Sequence, residues 1–407
     1  MEETSQRHRA WRTPTLVLVC GGIALTLALG TRHNFGLYLQ PVTLALDWDR
    51  QTFAFAIAVQ NLIYGVAQPF TGMIADKFGA GRVLAAGALI YAAGLVLMAH
   101  STTGAEFLLS AGLIIGIALG CTGFSVVFGA IARAYPPEKR SAAMGIAGAA
   151  GSFGQFLMLP FGQTLINNLG WQQALMVLAV VVLLVIPLSV AIAESPTQHA
   201  GPRQSIPEAL REALGHKDFR LLTTAYCVCG FQLMFISVHF PAYLLDNHMS
   251  ANTGMIALAL IGLFNIFGSY TWGMLGGRYT KKYLLALLYF IRAMAIAVFV
   301  LLPISPATVY VFSAIIGFLW LGTVPLTNSI IAGMFGVRYM ATLGGLAFFS
   351  HQVGSFFGVF AGAWLFDRTG SYELMWWLTV AMGVASALLN LPIDERPVRR
   401  QAAVAAA

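Results

Sequence analysis

The chain has 407 residues, 58% of them hydrophobic and 10% charged, with 23 Lys and Arg against 16 Asp and Glu and a formal net charge of +7. A soluble protein carries roughly 25% charged residues, so these few charges cannot solvate a water-facing surface, and a mean hydropathy of +0.76 argues against a disordered chain, a coiled coil or a soluble enzyme. A membrane helix takes about 20 apolar residues and a short loop roughly 10 more, which predicts about 12 to 13 spans; continuous runs such as Ala174 to Ala193 favour helices over the alternating strands of a barrel.

Twelve helices are predicted. Helix 1 (14–39) opens with an apolar run, Thr15 to Gly30, that reads as a retained helix rather than a cleaved signal. Past its midpoint it carries Arg32 and His33. Helix 2 (51–74) presents Asn61, Tyr64 and Gln68 at i, i+3 and i+7, a single stripe. Helices 3 and 4 are placed at 82–100 and 105–131. Helix 5 (140–166) repeats glycine at Gly145, Gly148, Gly151 and Gly154 just before Gln155, and helix 6 takes 171–193. The polar stretch from Glu194 to Arg220 contains Pro196, Pro202 and Pro207 and an amphipathic segment that begins at Pro207. It divides the chain into an N-terminal six-helix bundle (1–193), a cytoplasmic linker (194–218) and a C-terminal six-helix bundle with a short tail (219–407).

The second half repeats the plan. Helix 7 (219–245) carries Gln232 and His239. Helix 8 (253–276) has the stripe Asn265, Ser269 and Trp272, helix 9 (283–302) contains Arg292, and helix 10 (306–332) has Trp320, Thr323 and Thr327. Helix 11 (340–366) carries His351 and Gln352, and helix 12 takes 371–391. Pro69, Pro160, Pro241 and Pro325 are candidate bends. Cys20, Cys121, Cys227 and Cys229 all fall in apolar runs and read as packed free thiols. No metal-ligand cluster, phosphate loop or nucleophile–base motif is present in the sequence, so no metal, cofactor or enzymatic chemistry is expected.

Loop charges set the topology. Nineteen Lys and Arg fall on one side; only Arg50 and Arg368 fall on the other. Both termini are therefore expected in the cytoplasm, and the net positive charge needs no nucleic acid to explain it. The halves also match at a shift of about 200 residues: Gly72-Met73-Ile74-Ala75-Asp76-Lys77-Phe78 with Gly273-Met274-Leu275-Gly276-Gly277-Arg278-Tyr279, and Gly154, Gly162 and Gly170 with Gly354, Gly362 and Gly370. A parallel repeat of this kind suits a two-bundle transporter with its site at the interface.

The segment Gly72-Met-Ile-Ala-Asp76-Lys77-Phe-Gly79-Ala-Gly81-Arg82 resembles the loop 2–3 signature of the major facilitator superfamily. Gly72, Asp76, Lys77, Gly79 and Arg82 meet the pattern; Gly81 stands where the first of two closing bases belongs. Tyr135-Pro-Pro-Glu-Lys-Arg140 followed by Gly145 is similar to the family's loop 4–5 motif. Arg32-His33-Asn34-Phe35-Gly36 ending at Pro41, Gly317 to Pro325, and Ser350-His351-Gln352-Val353-Gly354 resemble bacterial monocarboxylate-porter and oxalate/formate-antiporter-like members. The resemblance implies an all-α membrane protein of twelve helices in two six-helix bundles. It also implies a cytoplasmic latch built on Gly72, Asp76, Lys77, Gly79 and Arg82, in which Asp76 faces the N-terminus of a neighbouring helix and the bases around it. Two departures bear on mechanism. Gly112 replaces the arginine that helix 4 often carries four residues before Gly116, so a proton-coupling role of that arginine does not transfer. Helix 5 lacks a Gly-Pro step before Phe161, so the signature of drug antiporters is incomplete.

Ionisable groups at membrane depth are costly and mark function by default. Arg32, Arg292, His33, His239 and His351 are the expected ones; Asp47, Asp49, Glu106, Asp246, Asp367 and Glu373 sit near outer helix ends, and no carboxylate is expected well inside a span. A cavity with arginine and histidine and no acid suits an anion, since an arginine grips a carboxylate through two nitrogens. Arg32 is the expected substrate ligand, with Asn61, Tyr64, Gln155, Gln232, His239, Asn265, Trp320, His351 and Gln352 completing the site and His239 or His351 carrying a coupled proton. Arg292 reads as structural. The expectation is a secondary transporter of a small monocarboxylate or related organic anion in a bacterial inner membrane, whose partners are the anion, a proton or counter-anion, and the lipid bilayer. Its rivals are an anion exchanger, an exporter of amphipathic drugs with a cavity lined by Phe53, Phe55, Phe348 and Phe349, and a membrane sensor on the same scaffold.

Overall fold

A computed structural model describes residues 12–193 and 204–398; Arg7, Arg9, Arg203, Arg399 and Arg400, together with Pro196, Pro202 and the stretch 194–203 of the expected linker, lie outside the described residues. Twelve helices are long and apolar enough to cross a membrane: α1 (Pro14–Leu46), α2 (Gln51–Phe78), α3 (Ala80–His100), α4 (Gly104–Ala134), α5 (Pro137–Leu169), α6 (Trp171–Ile192), α7 (Lys217–Asp246), α8 (Asn252–Gly276), α9 (Lys281–Leu301), α10 (Pro306–Phe335), α11 (Met340–Thr369) and α12 (Glu373–Asn390). They form two bundles of six. A shorter linker helix, Ile206–Gly215, lies between the halves, begun by a capping box of Ser205 and Glu208. The Ser205 N–H and hydroxyl hold the Glu208 carboxyl below its usual range. Asp49 caps the start of α2 by accepting from the Thr52 hydroxyl and N–H, which hold its carboxyl low.

Of the four expected prolines, only Pro325 accompanies an interruption. Pro69, Pro160 and Pro241 lie inside continuous helices, where packing against neighbours holds the turn. Pro325 sits in the first turn of the half-helix Thr323–Phe335, a place that needs no N–H. The breaks come instead at Asn34 in α1, at Gly123 in α4, at Leu184 in α6 and between Phe318 and Thr323 in α10. Leu184 follows the carbonyl that Pro187 leaves without its helical donor. α4 begins with a Thr103–Glu106 capping box and runs through a π-helical stretch, Leu108–Ile114.

The glycine repeat is a packing device. At the α1–α5 crossing, a Cβ on Gly154 would collide with the Thr26 carbonyl, and one on Gly30 would lie 2.6 Å from the Gly154 carbonyl oxygen. At the α7–α11 crossing, 200 residues on, Gly230 and Gly354 meet the carbonyls of His351 and Cys227 in the same way. Lipid gives helices no hydrophobic incentive to associate, so close backbone contact between small residues does it. Gly354→Val is therefore expected to push α7 and α11 apart and to destabilise the protein by about 1–3 kcal/mol, read as a lowered thermal midpoint in detergent. An unchanged midpoint would contradict this packing.

The bundles meet along two seams, α2–α11 and α5–α8, that run from mid-membrane to the end carrying the linker helix. Along the first, Gly65 packs on the Gln352 side chain, Gly345 on the Gln68 carbonyl and Gly72 on the Ala341 carbonyl. Along the second, Asn265 Nδ2 donates to Ser152 Oγ at 3.0 Å, and Gly145 and Gly273 touch backbone to backbone.

Candidate functional site

Arg32 lies in the last turn of the first piece of α1, where a cation meets the carbonyl end of a helix. Its guanidinium donates to Asn61 Oδ1 and lies 5.0 Å above the Tyr64 ring. Asn61 and Tyr64 are one turn apart on α2, so the predicted stripe supplies both partners. Among the described residues no carboxylate oxygen lies within 4.0 Å of Arg32. Its charge is held by an amide and a π-face, and the side chain stays half-buried. A desolvated charge without a counter-charge is costly, and a ligand carboxylate would remove that cost.

Contacts continue into the second bundle. The Tyr64 ring packs edge-on against Phe348 at 5.1 Å; Phe348 stacks on His351 at 5.5 Å, and His351 lies 4.9 Å from Tyr226. Gln352 Nε2 donates to the Asn61 carbonyl at 3.2 Å, and Gln352 Oε1 lies 3.3 Å from His351 Nδ1. His351 Nε2 is buried with no nitrogen or oxygen partner among the described residues, and the ring also meets the Cys229 thiol. The structure thus brings Arg32, Asn61, Tyr64, His351 and Gln352 together across the α2–α11 seam.

Other expected site residues stand elsewhere. Gln232 is fully buried inside the C-terminal bundle, donating to the Thr379 carbonyl at 3.0 Å and facing Arg292. His239 has both nitrogens engaged, Nδ1 with Tyr372 Oη at 3.2 Å and Nε2 with the Val359 carbonyl at 2.9 Å. Asn265 is on the α5–α8 seam, with its Oδ1 accepting from Ser269 Oγ and the Leu321 N–H. Gln155 is half-buried on α5, and Trp320 sits in the break of α10, its carbonyl accepting from Arg292. Arg292 is wholly buried and bonds the Leu319 and Trp320 carbonyls, closing the exposed end of the half-helix Pro306–Phe318. His33 is exposed, with Nδ1 on the Leu29 carbonyl of its own helix.

The aromatic set of the drug-exporter reading is dispersed. Phe53 packs on Phe107 at 5.1 Å inside the N-terminal bundle and Phe55 is exposed, while Phe348 belongs to the Tyr64–His351 chain. A groove of about 680 Å³ between α2, α3 and α4 is lined by Ile63, Phe70, Ile74, Phe78 and Val83 with Arg82 at its edge. It is apolar and lies on the outer face, with no set of donors for a polar ligand.

At the linker end, α2 extends past its predicted limit to Phe78, so Asp76 lies in the last helical turn and its carboxylate is buried. Arg133 Nη1 donates to it at 2.9 Å, the Ala341 and Thr342 N–H groups at 3.2 and 2.7 Å, and Thr342 Oγ1 at 2.7 Å. The last three come from the start of α11 in the opposite bundle, whose dipole favours a negative charge there. Gly79 joins α2 to α3 at φ 95°, a conformation that suits glycine. Lys77 and Arg82 are exposed. Gly81 has a physical reason to depart from the signature: a Cβ there would lie 2.5 Å from the Ser189 carbonyl and 2.6 Å from Ala193 Cα at the end of α6.

Sequence reasoning did not single out Gly123, Tyr226 or Gly230, and it noted Gln68 without giving it a role. Gly230 carried a usable signal, the shift of 200 from Gly30. Gly123 carried none, being one glycine among 42.

The sequence model of the Major Facilitator Superfamily matches residues 18–359. The chain is 26% identical to the MFS-type transporter YcxA of Bacillus subtilis (strain 168), over 88% of this chain and 90% of that protein. It is 24% identical to monocarboxylate transporter 13 of Rattus norvegicus, covering 93% and 88%, and 23% identical to the oxalate:formate antiporter of Oxalobacter formigenes, covering 94% and 93%. Among solved structures it is similar to FucP of E. coli in the outward conformation, with a TM-score of 0.73, 19% identity, and coverage of 92% of this chain and 98% of that one.

Proposed function

The chain belongs to the major facilitator superfamily, and on that premise we propose that it carries a small monocarboxylate or related organic anion across a bacterial inner membrane by alternating access. One observation carries the choice of an anion: Arg32 stands beside the seam of two bundles with an amide and a ring for partners and, among the described residues, no carboxylate within 4.0 Å. An incoming carboxylate supplies the missing counter-charge. Relatives named for monocarboxylate and for oxalate:formate transport support the class. The loop charges support an orientation with both termini, the linker helix and the Asp76 latch in the cytoplasm.

The proposed cycle has few parts. With the latch closed, the anion reaches Arg32 from the far side and neutralises it. Neutralised, the site can move through the low-dielectric seam as the bundles rock, and the latch at Asp76 opens. Carrying the anion needs no covalent step, so the protein acts as a carrier rather than an enzyme. Proton coupling is the favoured driving force. His351 is better placed than His239 to hold the proton, since among the described residues its Nε2 has no nitrogen or oxygen partner and it lies on the seam, whereas His239 uses both nitrogens inside its own bundle. His351→Gln is expected to abolish the stimulation of uptake by an inward pH gradient, measured in proteoliposomes; stimulation equal to wild type would remove His351 as the carrier.

Exchange of one anion for another is the second reading. It is favoured by the lack, among the described residues, of any protonatable carboxylate beside Arg32, which leaves a second anion able to reset the site. Uptake of labelled lactate into proteoliposomes loaded with lactate, against uptake driven by a pH gradient alone, separates the two. Uptake of lipophilic cations that monocarboxylates do not inhibit would sink the anion assignment.

A further inference from the structure

The break in α10 leaves two helix ends inside the C-terminal bundle: the carbonyl end of Pro306–Phe318 and the amide end of Thr323–Phe335, which no side chain caps. A carbonyl end carries about half a negative charge and an amide end about half a positive one. Arg292 takes the first, through the Leu319 and Trp320 carbonyls. Cys229 stands at the second, its Sγ 3.3 Å from the hydroxyl of Thr323, the first residue of that half-helix. Arg292 Nη1 donates to the same sulfur, also at 3.3 Å. Both side chains are wholly buried.

An arginine keeps its charge when buried, and its N–H groups can only donate. Among the described residues no carboxylate lies within 4.0 Å of Arg292, and the helix end offsets only about half of its charge. Of its side-chain partners, Gln232 Oε1 at 3.4 Å is neutral and Cys229 can ionise. A thiol is a weak acceptor, whereas a thiolate is at home beside a guanidinium and a helix start. Donors surround this sulfur: Arg292 and Tyr289 from α9, Thr323 from α10 and His351 from α11. Together with Tyr226 of α7 itself, which faces Tyr64 across the seam, they include every titratable or charged group that acts on it among the described residues.

His351 joins the sulfur to the seam. Its Nδ1 lies 3.3 Å from Gln352 Oε1, which can only accept, so Nδ1 carries the hydrogen and Nε2 keeps its lone pair. The ring meets the Cys229 thiol, and Nε2 has no nitrogen or oxygen partner among the described residues. On the other side Gln352 Nε2 donates to the Asn61 carbonyl, and Asn61 Oδ1 accepts from Arg32. Polar contacts thus run from Cys229 to the candidate anion site.

We propose that Cys229 and His351 together hold the coupled proton, between Sγ and Nε2, with Arg292 as the fixed counter-charge of the thiolate. The proposal rests on the proton-coupled carrier reading and adds Cys229 as the base. In the empty carrier the pair is a thiolate and a neutral imidazole. One proton enters from the far side, is shared by Sγ and Nε2, and leaves the same pair for the cytoplasm; no bond to sulfur other than S–H forms. The proton adds one positive charge and a monocarboxylate at Arg32 one negative charge, so the loaded and empty carriers cross the seam with the same net charge.

The test uses purified full-length protein. On acidification from neutral pH the wild type is expected to lose the ultraviolet band of a thiolate, and Cys229→Ser and Cys229→Ala to show no such band. In proteoliposomes Cys229→Ser, whose hydroxyl does not ionise, is expected to lose the stimulation of lactate uptake by an inward pH gradient, while lactate exchange at equal pH falls far less. Cys229→Asp restores an ionisable group and is expected to recover part of the stimulation with a shifted pH profile. A thiol needed only for packing would lower both rates together with the thermal midpoint, which overturns the proposal. A wild type without the thiolate band overturns it whether or not the variants fold, and so does a wild-type gradient response in Cys229→Ser and Cys229→Ala; these results leave the carrier reading standing. A wild-type protein that exchanges lactate and ignores the pH gradient overturns proton coupling, and the proposal with it.

Discussion

Arg32→Ala is expected to lower kcat/KM for anion uptake roughly a hundredfold without lowering the thermal midpoint. Hydrogen bonds to a charged group contribute about 1.5–3 kcal/mol, and about 2.7 kcal/mol corresponds to a hundredfold in rate. Stability should hold or rise, because the variant removes a guanidinium that has an amide oxygen and a ring as partners and, among the described residues, no acid within reach. That pairing of signs separates a substrate ligand from a structural arginine. Arg292, which satisfies two backbone carbonyls in the break of α10, should behave in the opposite way, with its alanine variant losing stability first. Arg32→Lys keeps the charge and loses the planar fork. The guanidinium can hold Asn61 with one nitrogen and the anion with another, whereas an ammonium on a flexible stem cannot fix both directions at once; an intermediate loss of about tenfold is expected. Both variants are measured by initial uptake in proteoliposomes at equal protein content. Wild-type transport in both would remove Arg32 from the site.

What the sequence made legible follows from the two signals a membrane chain carries. Hydropathy and the positions of Lys and Arg yield twelve spans and the linker, because lipid forces every backbone group into a helix and leaves length as the main variable. The stripe Asn61–Tyr64–Gln68 was legible because residues three and four apart share a face. Which stripe faces which was not legible, since an amide that serves a seam and one that serves a ligand look alike in sequence. Asn265 and Gln232 were as plausible as Asn61, yet Asn265 ties α8 to Ser152 of α5 and Gln232 turns towards α12. Pro69, Pro160 and Pro241 sit inside helices that run on without interruption, while Gly123 interrupts α4 with no local mark beyond the lack of a Cβ. Asp76 was expected in a loop. One further turn of α2 buries it, and its surroundings come from residues 57 and 266 positions away, a distance that no local pattern reports.

That burial makes Asp76 the second position with a large expected effect. Its carboxylate gathers four donors, three of them from the first turn of α11 in the opposite bundle. Asp76→Asn keeps the shape, removes the charge and can turn an amide N–H towards the Thr342 N–H, so a donor faces a donor. Opening breaks the bonds to α11, and hydrogen bonds to a charged group contribute about 1.5–3 kcal/mol, an amount that shifts the ratio of closed to open latch by roughly 10–10²-fold. The glycine contacts Gly72–Ala341 and Gly145–Gly273 remain in the variant, so the closed form keeps its packing and loses its electrostatic preference. Spin labels at the linker ends of α3 and α9 should therefore report one short distance in the wild type and a second, longer population in Asp76→Asn. A wild-type distance distribution in Asp76→Asn would mean that glycine packing alone holds the bundles shut and that the buried carboxylate has no part in the latch.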